Sequence, residues 1–375
     1  MRPGKVEYLE GLRGVAAMQV LLLHFFTGFL PETASRVWPP FNLALDGHTA
    51  VYVFFLISGT VLTPSFARPG SLVAKMARRV VRLGIPVAAA AAIATALIAW
   101  LPAAHRQAAA LTGSAWLAMD SSGAPTFLHL AREIGLDSLL LGYREATLFG
   151  PVAARLPPME HSLDAPFWSL HLELYGSLLV LCLVSLRAWS YRAHRVAIAV
   201  TAVVFGTHPM FLFVLGHLGF PLLRRGADRT WLGALLLLLG VALCATKDWG
   251  VVEWLRVMLA RTELAAAPNL YQFQSQLGAV ALYFGVLLCP PVQRPLASAA
   301  GRVLGRLSFS IYLLHFPILF TLVAFAALHV PIGVVFVLFL LLTLFAAVVF
   351  ERWVDRPAIA LSRLVASRPL SAETR

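Results

Sequence analysis

The chain has 375 residues, 59% of them hydrophobic and 13% charged, with a mean hydropathy of +0.78. A soluble domain averages about a quarter charged residues, so the composition excludes an ordinary soluble enzyme. The apolar residues come in blocks that approach the roughly 20 needed to cross a bilayer as a helix, not the alternating strands of about ten residues that build a membrane barrel, and the net charge of +12 sits in short loops as in a membrane protein, not a nucleic-acid binder.

Ten spans are expected, at about residues 14–30, 50–66, 84–101, 167–186, 196–206, 209–223, 230–246, 275–291, 307–328 and 331–350. The first follows Arg2 and Lys5 as a signal peptide would. Its long charged start, the histidine in its core and the spans behind it favour a retained helix. The fifth and sixth are short, and "GTHP" (206–209) between them is either a hairpin turn or a kink in one helix. Charge decides for the hairpin. With ten spans and a cytoplasmic N-terminus, most of the 30 Lys and Arg fall in cytoplasmic segments. Merging the two spans would move Arg224, Arg225 and Arg229 outside. The expected fold is all-α: a polytopic membrane protein of about ten transmembrane helices with both termini cytoplasmic. One membrane domain covers residues 1–357, outside loops run at about 102–166 and 247–274, and 358–375 is a frayed cytoplasmic tail. "TFLHLAREIGLDSLLLGY" (126–143) reads as surface or re-entrant helix. Cys182, Cys244 and Cys289 stand singly, with neither metal-ligand spacing nor a disulfide framework.

In "GLRGVAAMQVLLLHFF" (11–26), Arg13 and His24 are eleven residues apart. That is close to three helical turns, so they share a face about 16 Å apart along the axis. An ionisable residue inside a membrane reads first as a functional site. Histidine serves as a general base near neutral pH, and the arginine fork suits phosphate. A donor with a phosphorylated head and a long thin arm, such as acyl-CoA, fits this spacing. Alone, Arg13 also reads as an interface anchor and His24 as an interhelical hydrogen bond.

"DGHTAVYVFFLISG" (46–59) places Asp46 and His48 at the outer end of the second span, either as an acceptor-handling pair or as interfacial hydrogen bonding. "AKMARRVVRLGIP" (74–86) opens the third span with Arg78, Arg79 and Arg82. Their i,i+3 and i,i+4 spacing lets them converge on one face and hold phosphates; ordinary positive-inside charge is the plainer reading. "PFWSLHLELYG" (166–176) brings His171 and Glu173 into the fourth span from outside, where Glu173 either pairs with a cation or serves sugar hydroxyls. "RLSFSIYLLHFPI" (306–318) carries His315 to the depth of His24, with Ser308, Ser310 and Tyr312 hydrogen-bonding neighbouring helices. The charges of "ERWVDRPA" (351–358) read as local pairs.

In this order, these segments resemble the acyltransferase-3 family of integral-membrane acyltransferases. That family has a basic residue, ten residues and a histidine in its first span, as Arg13, "GVAAMQVLLL" and His24 do here. "VFFLISG" (53–59), "RRVVRLGIP" (78–86), "WSLHLELY" (168–175) and "LSFSIYLLHFP" (307–317) match its later segments. The resemblance covers about residues 7–86, 166–176 and 302–357. It implies ten spans, cytoplasmic acyl-CoA, and transfer of an acyl group, often acetyl, to a hydroxyl outside. It implies a catalytic role for His24 and donor contacts for Arg13, Arg78, Arg79 and Arg82. Many members carry an acidic residue where this chain has Tyr52, and His48 marks a different subtype; Asp46, His48 or Glu173 takes the acid's place.

The expectation is an O-acyltransferase of the cell inner (plasma) membrane, moving acetyl from acyl-CoA to an extracytoplasmic glycan or glycoconjugate. His24, Glu173 and His48 are the catalytic candidates, the four arginines hold the donor, and Asp46 and His315 are further candidates. No metal is expected, and the partners are membrane lipids and the glycan acceptor, with no nucleic acid. The alternative is a proton-coupled transporter or flippase using His24, Glu173 and His315 as a relay, although no inverted repeat appears. An acyltransferase using His and Asn has only Asn42 and Asn269 to offer, both in outside loops.

Overall fold

The computed structural model describes residues 7–36, 42–119, 125–225, 229–246, 249–260 and 272–367. Arg2, Lys5, Asp120, Asn269 and much of the second outside loop lie outside these residues. The described chain is helical, with no strand among its elements. The main helices are α1 (Glu7–Phe29), α2 (Gly47–Phe66), α3 (Leu72–Trp100), α4 (Trp168–Trp189), α5 (Tyr191–Phe205), α6 (Met210–Arg225), α7 (Thr230–Ala245), α8 (Gly250–Ala260), α9 (Phe273–Leu288), α10 (Pro290–Leu296), α11 (Ala299–Ile318) and α12 (Ile332–Phe350). All ten expected spans fall on helices. Six helical segments, those of α1, α2, α3, α4, α11 and α12, are long and apolar enough to cross a bilayer, or up to eight if each of two bent pairs is one span. One such pair is α9 and α10, bent by 95°.

Short polar side chains start several of these helices by accepting from exposed backbone N–H groups. Asp46 caps α2 through Thr49 N at 3.0 Å, Ser71 caps α3 through Ala74 N at 3.1 Å, and Ser298 caps α11 through Gly301 N at 3.2 Å. α12 is apolar on every face, and Val337, Leu341 and Phe345, four residues apart, are exposed in a lipid-facing stripe.

α5 and α6 form an antiparallel hairpin. His194 Nε2 lies 3.0 Å from His217 Nε2, and His217 Nδ1 lies 2.8 Å from the Thr63 hydroxyl on α2. In one continuous helix the two rings would be roughly 35 Å apart, so the single kinked helix is excluded. Arg192, Arg195 and Arg224 therefore share one end of the hairpin, as the charge pattern predicts.

Several helix pairs approach so closely that backbone meets backbone. At α2 and α6, a Cβ added to Gly59 would lie 3.1 Å from Gly216 Cα. At α1 and α11, a Cβ on Gly14 would lie 2.6 Å from Leu304 Cβ and 2.7 Å from Gly305 N, and one on Gly305 would collide with Glu10 O. Small residues allow this closeness between membrane helices, where packing rather than water drives association. Gly305→Leu is therefore expected to cost at least about 1–3 kcal/mol through overpacking and to lower the melting temperature in detergent. Gly333→Leu, at an open position of α12, is expected to leave it near wild type. Equal melting of the two variants would show that the contact is not needed.

The segment between α3 and α4 folds over one end of the bundle as short helices, including Ala104–Thr112 and Phe127–Arg132, the latter continuing as a π-helix over Glu133–Leu141. This matches the surface helix expected there. Thr112 and Ser114 donate to Gly28 O at 3.2 Å and Thr27 O at 2.8 Å, satisfying carbonyls in the last turn of α1. Those bonds carry Trp116 onto the bundle.

The C-terminal segment differs from the frayed tail expected. α12 widens into a π turn at Glu351–Asp355 and continues as helix Arg356–Ser367, with Ala358 and Ser362 buried as it packs along α3. Pro357 lacks an N–H for the helical ladder, which accounts for the widening. Residues 368–375 lie outside the described chain.

Candidate active site

His24 sits about three quarters of the way along α1, in contact with three rings. It stacks on Trp116 at 5.3 Å and on His315 at 5.0 Å, and meets Phe316 edge-on at 5.6 Å. Its Nδ1 lies 2.8 Å from His315 Nε2, and His315 Nδ1 lies 3.0 Å from Ile311 O. A carbonyl only accepts, so His315 Nδ1–H donates to Ile311 and its Nε2 is left to accept. His24 Nδ1–H then donates to His315. In the neutral pair the remaining lone pair is on His24 Nε2, and the residue lines a chamber.

That chamber has a volume of about 300 Å³ and is walled by His24, His48, Trp116, Tyr312, Phe316 and Phe320, among others. Glu145 and Glu160 line it, and no lysine or arginine among the described residues does. A second chamber, of about 620 Å³, opens nearer the start of α1 and is lined by Arg13, Arg79, Arg82, Arg302 and Arg306 together with Glu10, Glu173, Glu351 and Asp355. Val51 and Tyr312 line both. α1 thus presents Arg13 to one chamber and His24 to its neighbour, as their shared face requires.

The arginines differ in what holds them. Arg79 is ion-paired with Glu173 and donates through Nε to the Ser177 hydroxyl at 2.7 Å. Arg306 is near Glu351 at 3.5 Å, and Arg302 near Glu7 at 3.3 Å. Arg13 and Arg82 line the chamber without a hydrogen-bonded carboxylate among the described residues, within the fields of Glu173 and Asp355. Two guanidinium forks left over in a chamber of this size suit an anionic group such as a phosphate.

Three predicted placements need correction. Glu173 does not join the outer group with His48. Its carboxylate accepts from Arg79 and from the Ser58 hydroxyl at 2.7 Å, inside the arginine-lined chamber. α4 enters from one end and α3 from the other, and the two side chains meet where the helices pass. Asp46 lines neither chamber; its oxygens accept from Thr49 N, the Thr49 hydroxyl at 2.6 Å and the Ser275 hydroxyl at 2.9 Å. Arg78 is half-buried but lies outside the chamber wall that Arg79 and Arg82 form. It is one residue, about 100° of helix, away from Arg79. His48 lines the smaller chamber as expected.

Other residues at the site escaped sequence reading. Trp116 lies in a loop with no periodic signal. Asp355 was read as locally paired, yet it lines the larger chamber beside Arg13 and Arg82. Glu351 does pair locally, with Arg356 at 2.7 Å. Tyr312 had a usable signal, since it lies three residues before His315 on the same helix face. Among the described residues no group of three or more His, Cys, Asp or Glu is arranged to hold a metal ion.

Behind the smaller chamber, in the outer loop, Glu133 is buried and accepts from the hydroxyls of Tyr143, Ser162 and Ser138, the last two at 2.8 and 3.3 Å. Burial raises its pKa to about 7 and pushes Asp164, nearby and fully buried, well above the usual carboxylate range. Between its ordinary value of 4.5 and about 7, the unfolded loop releases a proton that the folded loop keeps. Stability is therefore greatest below that window and falls as pH rises through it, by on the order of 3 kcal/mol for Glu133. Hydrogen exchange across 127–141 is expected to be slower, after correction for intrinsic rate, at pH 5 than at pH 8. Glu133→Gln should shrink the difference, leaving the part that Asp164 contributes. Equal protection at both pH values in the wild type would contradict this.

The acyltransferase-3 family model, described as an acyltransferase domain, matches residues 6–352. No curated protein and no solved structure shows significant similarity to the chain. The match spans the first helix with Arg13 and His24, the whole lining of the smaller chamber and that of the larger except Asp355 and Ile359, ending just after Glu351. The chain belongs to the acyltransferase-3 family: it is a membrane-type acyltransferase, transferring groups other than aminoacyl groups.

Proposed function

We propose that the protein moves an acetyl group from cytoplasmic acetyl-CoA to a hydroxyl of an extracytoplasmic glycan or glycoconjugate, in the inner membrane, through ten spans with both termini inside. The observation that carries this reading is the pair of abutting chambers, one bordered by unpaired guanidinium groups and the next by an imidazole, served by one face of α1. Arg13 and Arg82 hold the phosphates of the donor. Glu173 holds Arg79 and so shapes that chamber; it positions an arginine and does not meet the acceptor. His48, with Glu145, faces the acceptor.

His315 fixes the tautomer of His24 and keeps Nε2 available as a general base. Nε2 takes the acceptor's hydroxyl proton as its oxygen attacks the thioester carbonyl. The C–O bond forms, the C–S bond breaks, and His24 returns the proton to the leaving thiolate. No proton or electron is left over. Membership in an acyltransferase family favours this chemistry over the transporter alternative.

The test uses purified protein in lipid nanodiscs, acetyl-CoA labelled in the acetyl group, and glycan fractions from the cell envelope. Label is expected in base-labile esters on the glycan, with one free CoA per ester. Loss of label to acetate alone, or no consumption of acetyl-CoA, would reject the proposal.

A further inference from the structure

Among the described residues, Val51 and Tyr312 are the two that line both chambers. The Tyr312 hydroxyl donates to Pro166 O at 2.8 Å and shares a 2.8 Å hydrogen bond with the Ser169 hydroxyl. Pro166 borders the smaller chamber and Ser169 the larger. The phenol ring therefore stands on the boundary, tied to the turn that begins α4. Phe54, from the larger chamber, meets the ring edge-on at 6.0 Å, and His315 lies 6.0 Å away behind it. Tyr312 is fully enclosed at 5% exposure, and Val51 likewise. These two side chains thus stand where the arginine-lined chamber meets the chamber of His24.

We propose that Tyr312 and Val51 form a partition that selects the acyl group by size, admitting short chains to His24 and holding long ones back. This inference rests on the donor reading given above. The acyl group is the leading end of the donor arm, because the phosphates stay with Arg13 and Arg82 about 16 Å behind. Whatever the acyl chain carries beyond its carbonyl must pass the partition first. It must then fit a chamber of about 300 Å³ that also admits the acceptor. Trp116, Phe316 and Phe320 wall that space, so a long chain fills volume that the acceptor needs. The same partition keeps water from following the thioester between acyl deliveries.

The experiment measures CoA thiol release from acetyl-, butyryl- and octanoyl-CoA by protein in nanodiscs with envelope glycans, for wild type, Tyr312→Phe, Tyr312→Ala and Val51→Ala. Wild type is expected to prefer acetyl over octanoyl by tenfold or more. Tyr312→Ala should raise the octanoyl-to-acetyl ratio at least tenfold, and Val51→Ala several-fold. Tyr312→Phe, which keeps the ring, should stay within about twofold of wild type. Val51→Ala removes only two methyl groups and keeps the question open to refutation if Tyr312→Ala fails to fold. A wild type without chain-length preference, or an unchanged ratio in the folded alanine variants, overturns the partition while leaving the donor reading intact. A wild type that consumes no acyl-CoA overturns both.

Discussion

Replacing His24 with alanine is expected to lower acyl transfer by about 10²- to 10⁴-fold, the usual contribution of a general base. The protein should still insert and fold. His24 is half-buried at a chamber wall, so its loss enlarges a cavity without unmaking the contact between α1 and α11, which lies further down both helices. The drop should appear in kcat and kcat/KM together, because the proton transfer occurs only in the transition state. His315→Leu is expected to have a smaller effect, since His24 remains but its tautomer is no longer fixed. His315→Gln, whose amide oxygen can accept from His24 Nδ1–H, should recover part of the activity. A His24→Ala enzyme with more than a tenth of wild-type kcat would remove the imidazole from the chemistry.

The second large effect is expected at the donor head. Arg13→Gln and Arg82→Gln each remove a fork that no carboxylate hydrogen-bonds, and in each variant the other arginine stays beside Asp355. A hydrogen bond to a charged group contributes about 1.5–3 kcal/mol, which converts to a rise in donor KM of roughly 10- to 150-fold. kcat should change little, because the phosphates are held equally in the ground and transition states. Arg78→Gln, outside the chamber wall, serves as the comparison and should leave KM within about threefold. An unchanged KM in both Arg13→Gln and Arg82→Gln would place the donor's phosphates elsewhere.

The sequence showed most clearly what depends on helical period alone. Arg13 and His24 share a face because eleven residues make nearly three turns, and no tertiary fact is needed to know it. Charge resolved the α5–α6 hairpin, and the His194–His217 contact agrees. Facts that depend on which helix stands beside which were hidden. The depth of His315 could be read but not its direction, and it turned out to touch His24. Glu173 was given to the wrong end because depth from one mouth does not name the neighbour that α3 brings alongside. Trp116 reaches the site through loop hydrogen bonds to the end of α1, a placement with no periodic trace. Pro357 hinted at a break, but not that a π turn would bring Asp355 to the chamber.

The backbone contact between α1 and α11 reaches further than packing. Gly14 meets Gly305, and ten residues on along each helix His24 meets His315. The two helices therefore run side by side in the same direction, in register, over about 15 Å. The bare glycines act as a fulcrum with arms of equal length, and the imidazoles are the tips. A methyl group inserted at the fulcrum would spread the tips apart without touching them, so the meeting of the two imidazoles is hostage to atoms that are missing three helical turns away.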